Sequence, residues 1–200
     1  MIFPIFMAMQ AAMKIFIVFT LASFLGGCAG KILPYVNPEG VPTVTITFQN
    51  LAHLNDSTRK RHLDVAVFKD DFQCRGRSEV VTRNLEVAIQ AELSSYYTIF
   101  YKAITFVEND PATYTDRCSG MYTFPLTPEH EYRVQFDEKA RLCYFRVLSR
   151  SVVAGSEWKR VDELFPRRMT FPSRSLDASW VDGPWCEGDE RFKASVRTAP

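Results

Sequence analysis

An alternation of apolar and hydroxyl side chains constrains this chain more than any other feature. From Thr43 to Phe48 every second residue is apolar, and each residue between is a threonine. A period of two places the apolar side chains on one face of a β-strand and the threonines on the other. The same period returns in residues 63–68, 132–136 and 143–147.

The other strand candidates are separated by turns rather than by helices. Residues 98–107 are dense in β-branched and aromatic side chains, and residues 121–124 form a short run before Pro125. Residues 85–91 also alternate, although good helix formers there leave a helix open as the alternative. About seven short strands without helix–strand alternation predict a mainly β fold, an antiparallel β-sandwich.

The C-terminal quarter of the chain has a different character. A short helix is predicted at residues 156–165, because Ser156 can cap it and the apolar side chains of Trp158, Val161 and Phe165 share one face. Pro166 ends this helix, and the residues after it are expected to be mostly irregular. The sequence therefore predicts a β-sandwich domain at 43–149 and a C-terminal extension at 150–200, packed on that domain.

The first thirty residues are typical of a targeting segment. Lys14 precedes the apolar run 15–24, whose length suits a signal peptide and is short for a membrane span of about 20 residues. The next residues are Leu25, Gly26, Gly27 and Cys28. They resemble the lipobox of bacterial lipoproteins, which consists of an aliphatic residue, two small residues and the cysteine that receives the lipid. The resemblance implies cleavage before Cys28 and a thioether from its thiol to a diacylglyceryl group.

The lipobox divides the N-terminal region into a signal peptide at 1–27 and a lipidated tether at 28–42, which is rich in proline and glycine. A start at Met13 gives a compact signal, so residues 1–12 are predicted to lie upstream of the true start. An uncleaved segment that spans the bilayer at 1–30 is the alternative. Both interpretations place the remaining chain outside the cytoplasm.

Ala29, and not an aspartate, follows the lipobox cysteine. In enterobacterial lipoproteins an aspartate at this position often retains the protein in the inner membrane. The resemblance therefore implies an outer-membrane lipoprotein of the cell envelope, with its domain in the periplasm.

Four cysteines remain when Cys28 is set aside. An even number in an exported chain predicts two disulfides, with three connectivities open. The pair Cys118–Cys143 is favoured because both residues flank a run of consecutive strands, which leaves Cys74 with Cys186. The spacings fit neither a C-x-x-C redox motif nor a zinc site, so no metal is predicted.

The segment from Cys118 to Cys143 follows the pattern C-x5-F-P-x2-P-x3-Y-x10-C. It is similar to lipoproteins of uncharacterised function that have a small prealbumin-like sandwich, although His130-Glu131 stand where a turn glycine is more usual. The resemblance implies a prealbumin- or immunoglobulin-like sandwich. The pattern is carried by Phe124, Pro125, Pro128 and Tyr132.

Charge and motifs exclude several function classes. The chain has 24 Lys and Arg and 23 Asp and Glu, a net charge of +1, which provides no general attraction to nucleic acid. The short basic runs 59–61 and 167–168 are interpreted as solvated. The sequence has no nucleophile elbow, phosphate-binding loop, H-E-x-x-H motif or dinucleotide fingerprint. No enzyme activity and no cofactor are therefore predicted.

Aromatic side chains are the remaining binding signal, with core packing as their alternative role. Trp180 and Trp185 are the candidate binding residues, because they lie in the irregular C-terminal segment. The sequence predicts a non-catalytic envelope lipoprotein, held to a membrane by lipid, that docks an unidentified envelope protein or glycan. The alternatives are a carrier of a sugar or lipid ligand, and an enzyme whose site would gather His53, His62 and His130.

Overall fold

The computed structural model describes residues 33–51, 59–80, 86–107, 110–139, 142–170 and 182–195. Within these ranges the chain is mainly β, with eleven strands and a short 3-10 helix at Glu190–Ser195. The strands are β1 (Leu33–Pro34), β2 (Thr43–Asn50), β3 (Arg59–Val67), β4 (Ser78–Val80), β5 (Glu86–Glu92), β6 (Tyr96–Val107), β7 (Asp110–Pro125), β8 (His130–Lys139), β9 (Leu142–Ser151), β10 (Lys159–Arg160) and β11 (Phe165–Pro166).

The strands form two sheets. The first sheet has the order β1–β4–β3–β6–β7–β11, and the second has the order β10–β9–β8–β2–β5. Each of the seven alternating or β-rich runs in the sequence overlaps one of the seven longer strands. The mainly β prediction is therefore confirmed, and residues 86–92 form a strand rather than the alternative helix.

The prediction of purely antiparallel pairing is wrong, and the described residues form eleven strands where about seven were predicted. The pairs β1–β4 and β2–β8 run parallel. Strands β2 and β8 are parallel because the chain enters the second sheet twice from the same end. Four of the eleven strands were not predicted: β1, β4, β10 and β11. Each has only two or three residues, which is too few to show a period in the sequence.

The short helix predicted at residues 156–165 is also wrong. The segment contains β10, which pairs with β9, and β11, which pairs with β7. It passes from the edge of one sheet to the edge of the other, and pairing with these edges outweighs a weak helix propensity. Trp158 was predicted on the apolar face of this helix, but it contacts two guanidinium groups instead. Its ring centroid lies 4.3 Å from the guanidinium carbon of Arg133 and 4.6 Å from that of Arg150.

The inner faces of the two sheets share one hydrophobic core. Tyr101 of the first sheet lies against Phe136 and Phe145 of the second, with ring centroids 5.4 Å and 5.0 Å apart. Burial raises the pKa of Tyr101 to about 12, and its neighbour Tyr122 adds to this shift. A disulfide between Cys118 of β7 and Cys143 of β9 joins the same two sheets covalently.

The first sheet is also covered on its outer face. Phe68 and Met121 are buried there with Cys74 and Cys186, in a cluster separate from the main core. The covering residues come from the turn after β3 and from residues 167–170 and 182–192. The C-terminal part of the chain is thus packed over a sheet face that would otherwise expose apolar side chains to water.

The segment before β2 joins the edges of both sheets. The Tyr35 amide donates to the Glu79 carbonyl of β4 at 2.7 Å, and its hydroxyl donates to the Gln90 carbonyl of β5 at 2.8 Å. The Gln90 amide in turn donates to Asn37 Oδ1 at 3.0 Å. These contacts occupy backbone groups of an edge strand that would otherwise be open to pairing with another chain.

We expect loss of these edge contacts to destabilise the side of the molecule that they join. Tyr35→Phe removes one hydroxyl and should lower the free energy of unfolding by about 1 kcal/mol. Asn37→Ala should speed hydrogen exchange at the Gln90 amide, measured by NMR. Tyr144→Phe, at a half-exposed tyrosine of β9, is the matched control and should change neither quantity. Equal effects of the two tyrosine substitutions would contradict this role for the segment.

Candidate functional site

A groove of about 560 Å³ lies between the N-terminal segment and the end of β3. This volume is within the range of about 300–1,000 Å³ found for small-ligand sites. Most of its lining side chains are apolar, including Leu33, Tyr35, Val36, Val67 and Phe68. The polar side chains of the lining are Lys69, Asp70, Ser78 and Glu92.

A tight turn after β3 builds one wall of the groove. Asp70 Oδ1 accepts a hydrogen bond from the Phe72 amide at 2.8 Å, and Asp70 and Arg75 form a backbone bridge. Gly76 closes the turn with a φ of 65°, a conformation that favours glycine. A side chain there would also meet Lys69 Cβ at 3.1 Å. The turn therefore holds its shape through local contacts.

The lining of the groove suits an apolar group better than a reacting one. It offers aliphatic and aromatic surface, with the charges of Lys69, Asp70 and Glu92 among its polar side chains. Within the described ranges, no group of three or more His, Cys, Asp or Glu side chains could hold a metal ion. The geometry supports binding of an apolar surface or ligand.

A second cluster, on the outer face of the first sheet, is organised by the buried guanidinium of Arg167, which is 7% exposed. Its two terminal nitrogens donate to the carbonyls of Asp71, Phe72 and Glu187 and to the hydroxyl of Thr123. One side chain thereby joins the turn after β3, strand β7 and the C-terminal segment.

Burial and nearby carboxylates have opposite effects on the pKa of the Arg167 guanidinium. Burial lowers the pKa of the Arg167 guanidinium, while Asp189 and Asp71 oppose that shift. An arginine remains charged in proteins, so the cation is present inside this cluster. Its guanidinium carbon also lies 4.6 Å from the Phe192 ring, a cation–π contact.

The basic run 167–168, interpreted from sequence as solvated, is therefore divided by the fold. Arg167 is buried, whereas the Arg168 side chain is 81% exposed and pairs with Glu187 at 3.3 Å. No local signal in the sequence separates the two arginines, because the difference arises from β11 placing Arg167 against the outer sheet face.

Trp185, a predicted binding residue, lies half-buried beside the outer cluster. Its ring is 4.6 Å from the Arg77 guanidinium, and its carbonyl accepts a hydrogen bond from Thr170. Burial lowers the pKa of the Arg77 guanidinium, while Glu79 opposes that shift. These contacts fix Trp185 within the fold, and its binding role stays a prediction. Trp180 lies outside the described residues.

The described cysteines form the two pairs that the sequence favoured. Cys74 and Cys186 have Cα atoms 5.5 Å apart, and Cys118 and Cys143 have Cα atoms 5.9 Å apart, both typical of disulfides. The first pair joins the turn after β3 to the C-terminal segment. Cys28 and the other residues of the predicted lipobox lie outside the described residues.

The histidines considered for an unrecognised enzyme site are described only in part. The His130 ring nitrogen Nδ1 lies 2.9 Å from the Pro128 carbonyl, at the turn before β8. His53 and the side chain of His62 lie outside the described part of the chain. The structure therefore brings no histidine to the groove among the residues it describes.

Comparison with known proteins leaves the site to be interpreted from its own geometry. No family model, no curated protein and no solved structure matches this chain. In the described ranges, no helix has the length and hydropathy needed to cross a bilayer.

The adjacent arginines provide a matched test of the buried cluster. Arg167→Met should lower the free energy of unfolding by about 3 kcal/mol, because three carbonyls and a hydroxyl lose a charged donor. Arg168→Met should change it by less than about 0.5 kcal/mol, because its ion pair is exposed. Urea unfolding with the disulfides intact measures both. Equal losses in the two variants would contradict the role assigned to Arg167.

Proposed function

We propose that this protein is a membrane-anchored lipoprotein of the cell envelope, and that its domain is a non-catalytic docking module. One observation carries the proposal: four of the five cysteines form two pairs at disulfide distance, and the fifth is Cys28 of the lipobox. Structural disulfides persist in oxidising compartments, so the pairs support export of the chain. Cys28 is then available for lipid.

We infer that the two sheets form a β-sandwich of the prealbumin or immunoglobulin type. The shared core and the disulfide between β7 and β9 support this arrangement. Tyr132 adds to the support, because its hydroxyl accepts a hydrogen bond from the Thr127 amide at 2.6 Å. A tyrosine that bonds the backbone just upstream stabilises a turn between sheets in immunoglobulin-like domains.

The location in the envelope is part of the proposal. Ala29 after the lipobox cysteine favours the outer membrane, with the domain in the periplasm. The partner is an envelope protein or glycan. The apolar groove supports docking, because it offers aliphatic and aromatic surface to a partner. Co-purification from solubilised envelopes should recover a specific partner.

The anchor is tested by intact mass spectrometry of protein purified from bacterial membranes. We expect a chain that begins at Cys28 and carries a diacylglyceryl group, and loss of that added mass in Cys28→Ala. Alkylation adds a second measurement: the lipidated chain should have no free thiol before reduction and four after it.

Each alternative has a distinct signature in the same experiment. An unmodified chain that retains Met1 or Met13 would overturn the lipobox assignment and favour the uncleaved segment. One additional free thiol would show that Cys28 carries no lipid. A different number of free thiols before reduction would instead contradict the two disulfides.

A carrier of a lipid or sugar ligand is the second candidate function. The volume of the groove and its apolar lining favour it. Native mass spectrometry of the membrane-purified protein should then detect a bound small molecule. Val36→Glu, which places a charge in the lining, should abolish that species, while Val153→Glu, at an exposed valine outside the groove, should retain it.

A further inference from the structure

One end of the two sheets is defined by the turns that connect them. Strand β2 begins there and β5 ends there, since Thr43 pairs with Glu92. Strand β9 ends and β8 begins there, since His130 pairs with Ser151. Residues 93–95 and 126–129 carry the chain between the sheets at this end. We call it the proximal end.

Strand β1 begins toward the proximal end. Strand β1 runs parallel to β4, with Leu33 beside Ser78 and Pro34 beside Glu79. Ser78 lies toward the proximal end because it pairs with Val67, which pairs with Ile99 near the start of β6. The N-terminal residue of β1, Leu33, therefore lies on the proximal side of Pro34.

The distance from the proposed lipid to the fold is short. Leu33 is already bound in the first sheet, and it is only the fifth residue after Cys28. Five residues span at most about 18 Å, whatever their conformation. A lipid on Cys28 therefore holds Leu33 within that distance of the bilayer surface.

Exposed apolar side chains are concentrated at the proximal end. Among the described residues six large hydrophobic side chains are exposed, and four of them lie at this end. Leu33 is 64% and Val36 77% exposed beside the groove, and Val152 and Val153 follow the end of β9. Leu142 begins β9 at the opposite end, about 33 Å away for ten residues of strand.

The charges at the proximal end have both signs. Lys69 lies beside Asp70, Glu92 ends β5, and Glu129 lies on the turn before β8. Binding of anionic lipid requires a cluster of basic side chains at the membrane surface. Apolar contact, which needs no anionic lipid, is the interaction that fits these residues.

We propose that the proximal end rests on the phospholipid bilayer, with Leu33, Val36 and the Val152–Val153 pair in its interfacial layer. The inference rests on the proposed lipidation of Cys28 and deepens it. It gives the domain a fixed orientation, with the opposite end of the sheets directed away from the membrane.

The test uses the mature lipidated protein, beginning at Cys28, in phosphatidylcholine vesicles with and without brominated acyl chains. Leu33→Trp and Leu142→Trp are matched variants, because both replace a leucine of similar exposure, 64% and 60%. Bromine atoms on the acyl chains quench the fluorescence of a nearby tryptophan. The tryptophan fluorescence that Leu33→Trp adds should therefore fall by about half in brominated vesicles, because the interfacial layer lies about 5–10 Å deep. The tryptophan fluorescence that Leu142→Trp adds should be the same in both kinds of vesicle.

Val152→Trp is the second variant, for use if Leu33→Trp does not fold. It should also be quenched, since it lies at the same end, just after the end of β9. Quenching in neither Leu33→Trp nor Val152→Trp, or equal quenching in Leu142→Trp, would overturn the proposed orientation. Intact mass of the same samples separates the two proposals: an unlipidated chain refutes the anchor, whereas a lipidated and unquenched chain refutes only the orientation.

Discussion

The first sheet has apolar side chains on both of its faces, and the rest of the fold is arranged around the need to remove both from water. Val67 and Phe68 are adjacent in sequence and face opposite ways, yet each is almost fully buried. The second sheet covers one face and forms the main core. The turn after β3 and the C-terminal segment cover the other. A sheet with only one covered face would leave the second cluster exposed, at a cost of roughly 25 cal/mol for each Å² of apolar area.

The outer cover is a segment with little regular structure, so it depends on specific contacts. The disulfide between Cys74 and Cys186 closes a separation of 112 residues. Arg167 stabilises this segment with hydrogen bonds, because its planar guanidinium donates to three carbonyls and one hydroxyl at once. At the surface of this cover, Arg191 and Asp189 form an exposed ion pair, and the hydrogen bond from Arg191 lowers the pKa of Asp189.

The N-terminal segment has a structural role and a positional one. Through Tyr35 and Asn37 it bonds to the edges of both sheets, and it lines the apolar groove. The same contacts shorten the free chain between Cys28 and the fold, so they also limit how far the domain can move from a lipid on that cysteine. The proposed anchor and the proposed orientation thus depend on the same segment. The anchor depends on the lipid on Cys28, and the orientation depends on the short length of chain between Cys28 and the fold.

The sequence by itself determined the mainly β class and the seven longer strands, because a period of two in side-chain polarity is a local property of the chain. The number of cysteines and their positions beside the strands favoured the two cysteine pairs, and residues 25–28 resemble a lipobox. Only the tertiary structure decided that Arg167 is buried and Arg168 exposed, that residues 159–166 pair with two sheet edges instead of forming a helix, and that a groove lies beside Leu33. These features depend on which strand edges and sheet faces remain uncovered after the sheets assemble. Contacts between residues so far apart in sequence leave no periodic signal along the chain.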